Sequence, residues 1–416
     1  MPVVSQDEPT SVLSAVLGDQ PVRGVPNARF LRLLQEQLQP LADVPAHGNR
    51  TLHLHPVVVT HIVSFYDPLI RSLRCIEAQS VKPLVPPPSG VQLQRIARST
   101  HSDALRAFDP QLLHGVLQNL QRQVPDLRKA DPSLAGILRQ IVAADGTYLS
   151  VFSDTAWALI HTKSNGRKQG QVRLNCQMTV GDWLPRVITV SGGEETDGSE
   201  PDAVARDLLA GVLYVVDRNF IDFDFLKAVL AKDSDFVLRI KANAPGYEIV
   251  ESRPLSPADI AQGVVGDSIV RLTGRDAPQG HFRLVQLRHA SKPDETVALL
   301  SSLTDKQIPA HVVGYIYKQR WQIELFFRWL KLWCNFDHLL STSRNGITMQ
   351  FYCIMIATLL MHIHLGRKIS KYTLVAMHLL QQGATLEQMQ AFLDQRERER
   401  ELEQARRARK AAAKKA

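Results

Sequence analysis

The chain has 416 residues, 44% of them apolar and 22% charged, which excludes wholesale disorder and leaves room for roughly two to four domains. Its four cysteines, Cys75, Cys176, Cys334 and Cys353, form no Cys-x-x-Cys pair, which excludes a disulfide scaffold and a zinc ribbon. A formal charge of +8 leans mildly toward a polyanionic partner.

The N-terminal third is polar and helical in pattern. FLRLLQEQLQPL (30–41) carries apolar residues at helical spacing, and a second helix is expected over 57–79, interrupted near Pro68. VKPLVPPPSG (81–90) reads as a linker, because its prolines fix the backbone and remove donors. A further helical stretch is expected over 101–124, with Ser102 as a candidate cap. His53, His55 and His61 in TLHLHPVVVTH are expected to be exposed residues of this helical part. The opening MPVVSQDEPTSVL shows no basic stretch followed by an apolar core, so a cytoplasmic protein is expected.

The pattern changes near residue 137. The run 137–152 is expected to end in a short β-rich stretch, with strands at 172–180, 185–193, 212–217 and 235–241 and helices at 203–211 and 223–233. That alternation predicts a mixed α/β sheet. Residues 243–305 contain short strands between Gly, Pro and Asp and read as an antiparallel insertion. From 309 the chain is helical again. The apolar run 347–365 is expected to be a helix buried in a core, with no membrane crossing. Its His362 and His364 are expected to be satisfied core groups. The tail 396–416, with nine Lys and Arg against four Glu, is expected to be a solvated, partly frayed helix.

Three carboxylates have settings suited to chemistry. Asp145 ends the apolar run IVAAD, and Asp217 ends VLYVVD. The C-terminal edge of strands in open α/β sheets is where sites form. Either aspartate alone is also what a turn opening on Asp-Gly or Asp-Arg looks like. Glu324 lies in 311–335, where Tyr317, Arg320, Glu324 and Lys331 fall within roughly 60° of one another on a helical wheel. The rest of the circumference is largely apolar, so the stripe is either a buried polar site or a run of ion pairs between Glu324, Arg320 and Arg328. Two aspartates from strands and one glutamate from a helix are hard oxygen donors of the kind that suit Mg²⁺ or Mn²⁺. Two such ions about 4 Å apart promote phosphodiester cleavage.

The segment YKQRWQIELFFRWLK (317–331) resembles the Tyr-x2-Arg-x3-Glu-x6-Lys signature of IS4-family insertion-sequence transposases, at every spacing. IVAADGTYLS (141–150) resembles the first aspartate region of that family, and YVVDRNFIDFDFL (214–226) the second. RSTHSDALRAFDPQLL (98–113) resembles the helical region before its core. The resemblance implies an α/β fold: an RNase H-like mixed-sheet catalytic core with a β-rich insertion and an N-terminal helical domain. On that plan residues 1–135 are the helical DNA-binding domain, 136–242 and 306–370 the two parts of the core, 243–305 the insertion, and 371–416 a basic helical tail.

The resemblance further implies Asp145, Asp217 and Glu324 as catalytic residues and as ligands of two Mg²⁺ or Mn²⁺ ions. It implies Tyr317, Arg320 and Lys331 as contacts to DNA near the scissile phosphate. Trp321 either packs near the cleavage point or fills core, and Arg218, Arg239 and Lys241 are candidate phosphate contacts. The implied activity is cut-and-paste DNA transposition on double-stranded DNA, with terminal inverted repeats and target DNA as substrates and a homodimer on the paired ends. A catalytically silent, transposon-derived DNA-binding protein and a general RNase H-like nuclease are the competing readings. The chain departs from the family pattern at Arg173, Leu174 and Asn175, where relatives carry Lys-x-His, and at Asn219. In the insertion, Phe282 or Tyr247 would have to replace the tryptophan that some relatives use to hold a flipped base.

Overall fold

Alternating and unbroken apolar runs build the strands of this chain into one sheet. The computed structural model describes residues 36–42, 54–65, 72–81, 95–124, 139–151, 158–162, 168–180, 184–192, 199–241, 245–289, 292–333, 338–365, 372, 375 and 386–413. The chain divides into two units, Asp126–Trp329 and a second made of Met1–Pro125 with Leu330–Ala416.

In the first unit the strands are β1 (Gln140–Val151), β2 (Leu159–Thr162), β3 (Lys168–Thr179), β4 (Leu184–Ser191), β5 (Val212–Val216) and β6 (Asp235–Ile240). β1 pairs antiparallel with β3 and parallel with β5, β3 pairs antiparallel with β4, and β5 pairs parallel with β6. The resulting order β4-β3-β1-β5-β6, an antiparallel meander followed by two parallel strands, is the RNase H-like arrangement. β5 is apolar along its length and every residue of it is buried, as expected of a central parallel strand.

The next four strands, β7 (Gly246–Ser252), β8 (Val264–Thr273), β9 (Phe282–His289) and β10 (Lys292–Ser301), form an antiparallel meander. It does not stand apart: β10 pairs antiparallel with β6, so the sheet runs on without a break to ten strands among the described residues. Within the meander Arg283 and Asp267 are 3% and 5% exposed and form a two-pronged ion pair, with Nε to Oδ1 at 2.8 Å and Nη2 to Oδ2 at 2.7 Å. The remaining Arg283 nitrogen donates to the Ile308 carbonyl at 2.7 Å, tying β9 to the turn that opens the next helix. Phe282 is 2% exposed and stacks on Phe236 with ring centroids 5.8 Å apart. It is therefore a core residue, and the expectation that it could hold a flipped base is wrong. Tyr247 is half-buried against the same core.

The second unit is helical. α1 (Leu54–Phe65) and α2 (Leu73–Val81) lie within the stretch expected to be helical, and Pro68, where an interruption is expected, lies outside the described residues. The stretch expected as one helix over 101–124 is three pieces: α3 (Arg98–Ala107), a 3₁₀ turn at Pro110–Leu113 and α4 (His114–Gln123). Pro110 has no N–H to continue α3, and Asp109 caps the new turn by accepting from the Gln111 N–H. The cap position of α3 is Ala97, so Ser102 caps nothing. The long apolar helix, Arg344–Leu365, packs against α1, α3 and α4, and its residues from Tyr352 to Leu360 are buried. No helix among the described residues is long and apolar enough to cross a membrane. The basic tail forms a helix over Leu386–Ala413. The side chains of His362 and His364, and all of His53, lie outside the described residues.

The expectation of exposed histidines fails at His61, which is 5% exposed because it lies on the face of α1 turned into the helical core. Its Nδ1 is 2.8 Å from Nε2 of the buried His101. Burial pushes His61 down to about 4 from an ordinary 6.5, and burial with the charge of its neighbour pushes His101 down as well. As pH falls from 6.5 toward 4 the unfolded chain takes up protons that the folded pair refuses. Stability present above pH 6.5 is therefore lost across that window, by roughly 3 kcal/mol for His61 alone. Urea unfolding followed by helical circular dichroism should show this loss between pH 7 and pH 4.5, and His61→Leu with His101→Leu should remove it.

Candidate active site

The two aspartates meet because their strands are parallel neighbours. β1 and β5 are aligned with Ala143 opposite Val215, and two residues on in each strand stand Asp145 and Asp217. Asp145 is not at the end of β1, as its sequence setting suggested; the strand continues to Val151 on its pairing with β3. It lies where β5 stops, so the open edge of the parallel pair begins there. Asp217 leaves β5 in extended backbone and caps a 3₁₀ turn, Arg218–Phe220, by accepting from the Asn219 N–H at 2.7 Å.

Glu324 comes from a helix, but not from one continuous helix over 311–335. α5 (Glu200–Ala205), α6 (Phe223–Ala231) and α7 (Pro257–Ala261) precede two separate helices, α8 (Ala310–Lys318) and α9 (Trp321–Trp333). Between these two the backbone tightens, with Gln322 donating to the Gln319 carbonyl and Ile323 to the Arg320 carbonyl, both three residues back. The apolar spacing runs through this junction unchanged, so periodicity alone could not reveal it. Buried Ile323, Phe326, Phe327, Trp329 and Leu330 anchor α9, and Glu324 falls in its first turn, where a carboxylate complements the helix dipole.

Arg320 lies between the carboxylates. Its Nη1 donates to Asp145 Oδ2 at 3.3 Å and its Nη2 to Glu324 Oε1. Burial pushes the Asp145 carboxyl up to about 6, reinforced by the negative charges of Asp217 and Glu324 and opposed by the Gly146 N–H and Arg320. Tyr317 is also raised, by burial first, with Arg320, Arg239 and Asp217 all close enough to act on it. Asp145, Asp217, Glu324, Arg320, Tyr317 and Arg239 therefore share one electrostatic environment.

The other predicted residues sit around it differently. Trp321 is 49% exposed at the start of α9, which rules out core packing. Arg218 and Lys241 are exposed, at the ends of β5 and β6. Lys331 lies half-buried two turns beyond Glu324, past the boundary between the units at Trp329.

One carboxylate was missed. Glu200 opens α5, which packs against β1, β3 and the turn after Asp217. Burial pushes it up to about 7, with Asp145 and Asp217 adding to the rise. The available signal was the cap itself. Ser199-x-x-Asp202 with Pro201 is a helix start, and the first residue inside it is an acid placed after β4 and ahead of the second aspartate.

Asp145, Asp217 and Glu324 suit a hard divalent cation in donor type. Among the described residues no three such groups converge closely enough to hold one as placed, and the guanidinium of Arg320 stands as the cation between two of them. Two buried acceptor oxygens beside them, Glu200 Oε1 and Asn175 Oδ1, have no hydrogen-bond partner among the described residues. A surplus of buried acceptors around raised carboxyls is chemistry that a cation would satisfy.

The comparisons with known proteins bear on the same residues. The chain is 27% identical over 223 residues to y4zB of Sinorhizobium fredii, whose given name is that of a transposase; the match covers 53% of this chain and 59% of that one. It is 25% identical over 266 residues to a Synechocystis protein named as a transposase for the insertion sequence element IS4SA, covering 64% of this chain and 71% of that one. A solved structure, the piggyBac transposase synaptic complex with hairpin DNA, matches at 12% identity and a TM-score of 0.42, covering 92% of this chain and 80% of that one. The model of the transposase DDE domain matches residues 137–360, a span that holds Asp145, Asp217 and Glu324 and more than half of the sequence, and on that match the chain belongs to the DDE transposases of insertion sequences.

Proposed function

We propose that this chain cuts the ends of an insertion sequence and joins them to target DNA, with Asp145, Asp217 and Glu324 as the acidic catalytic set. The observation that carries the reading is that Asp145 of β1 and Glu324 of α9 share the guanidinium of Arg320, with Asp217 at the end of β5 close enough for its charge to raise the Asp145 carboxyl. Such a cluster is costly without a cation and has no evident structural purpose. Mg²⁺ or Mn²⁺ bound there, as two ions on the family plan, would polarise the scissile phosphate and favour the attacking and leaving oxygens.

The chain's own groups would do the rest. Arg320 would exchange its carboxylate bonds for phosphate oxygens once cation and DNA arrive, since a guanidinium matches both geometrically. Tyr317 would donate its phenolic proton to a phosphate oxygen; its raised pKa keeps that proton in place at neutral pH. The exposed ring of Trp321 would stack on a base near the cut. Arg218, Lys241, Arg239 and Lys331 would hold the backbone of the duplex, a salt-sensitive contribution. The N-terminal helices would read the terminal inverted repeats, and a dimer would bring two ends together, one active site to each.

A linear duplex bearing the element's own end tests this, incubated with the protein and Mg²⁺ or Mn²⁺. Cleavage at the element boundary that needs the cation and is absent from Glu324→Ala is expected. Specific binding of the end without cleavage by the wild type would favour a silent DNA-binding protein. Cleavage without end preference would favour a general nuclease.

A further inference from the structure

The triad leaves one acid at the site without a task. Glu200 is the first residue of α5, held by a capping box in which the Ser199 hydroxyl accepts from the Asp202 N–H and the Asp202 carboxylate accepts from the Ser199 N–H at 2.8 Å. The far end of α5 is fixed by buried polar bonds. Gln177 of β3 donates to the Val204 and Asp207 carbonyls at 3.3 and 3.1 Å, and Tyr214 of β5 donates to Gln177 at 2.6 Å. A short helix anchored at both ends therefore delivers the Glu200 side chain to a set place.

That place is the backbone next to Asp145. A methyl group added to Gly146 would stand 2.5 Å from Glu200 Oε1 and 3.2 Å from Asn175 Oδ1. Neither oxygen has a well-formed hydrogen bond among the described residues, although the Gly146 N–H and the charge of Arg173 act on the Glu200 carboxyl against its rise. An acidic side chain chosen for structure would be expected to find a donor for such an oxygen. Here instead two acceptors flank a glycine whose missing side chain gives them room, one residue from Asp145.

We propose that Glu200 is a fourth carboxylate of the cation site, contributing to the hold on a divalent ion shared with Asp145. The assignment rests on the proposed reading of Asp145, Asp217 and Glu324 as cation ligands. It gives α5 its purpose and accounts for a glycine directly after Asp145.

The test is a titration of the full-length chain with Mn²⁺ at pH 8, free Mn²⁺ being read by electron paramagnetic resonance, alongside thermal melting and binding of end DNA. Glu200→Gln, nearly isosteric, should fold, bind end DNA as wild type and bind Mn²⁺ at least about tenfold more weakly. Glu200→Asp, which keeps the charge but withdraws it by one methylene, should lose less, and it carries the test if the glutamine variant does not fold. Wild-type Mn²⁺ affinity in a folded Glu200 variant, with Asp145→Asn weakened, would overturn the role of Glu200 and leave the triad standing. Wild-type affinity in Asp145→Asn as well would remove the cation reading itself.

Discussion

Asp145→Asn is expected to abolish end cleavage and, in the same molecule, to make the metal-free protein more stable at pH 8. The first effect follows from losing one carboxylate of the proposed cation site. Several kcal/mol of transition-state stabilisation rest on such a site, so a loss of about a thousandfold or more is expected. The second follows from proton linkage. The folded chain holds the Asp145 proton up to about pH 6, whereas the unfolded chain releases it near its ordinary 3.8. Between those values the folded state binds more protons, so stability falls as pH rises and the whole penalty is present above pH 6. Two pH units correspond to roughly 3 kcal/mol. The attraction of Arg320 is already counted in that shift, so the net gain expected is about 2–3 kcal/mol. Denaturant melts at pH 8 and pH 4.5 check the sign: the variant should gain at pH 8 and not at pH 4.5. Added Mn²⁺ should stabilise the wild type at pH 8 more than the variant.

Asp267→Ala is expected to cost about 3–5 kcal/mol, the largest stability loss predicted for a single side chain here. It would leave the Arg283 guanidinium, 3% exposed, with a buried charge and two donors facing nothing. The damage should not stay in the meander. Arg283 also holds the Ile308 carbonyl, so the entry to α8, and through α8 the position of Arg320, depends on the same group. The double variant Asp267→Leu with Arg283→Met should recover most of the loss, because removing both charges leaves nothing uncompensated. If the double variant is as unstable as the single, packing at this spot rather than charge is what the pair supplies.

The strands were readable because their apolar residues alternate or run unbroken between turn residues, as in VLYVVD. The three acids were readable for a different reason: two end such runs and the third stands on a polar stripe in an otherwise apolar helix. What escaped notice did so for physical causes. The break between α8 and α9 leaves the apolar spacing intact, so nothing in the pattern marks it. His61 and Phe282 were misjudged because side-chain type does not tell which face of an element turns inward. Glu200 escaped because a glutamate at a helix start is already explained by capping and dipole; only its closeness to Gly146, far away in sequence, gives it a second meaning.

The bond from Arg320 to Asp145 closes a loop of 175 residues. Every strand of the sheet is synthesised before the arginine that neutralises its acids. A nascent chain stopped short of residue 320 carries Asp145, Glu200 and Asp217 side by side with neither the guanidinium nor the helix that brings Glu324. Such a chain has mutually repelling carboxyls where the finished protein has a site, and long-range closures of this kind form late in folding. The proposed site is thus completed only after the whole sheet has been made, and chains that stop short of α9 should be inert toward DNA ends, however well their sheet has formed.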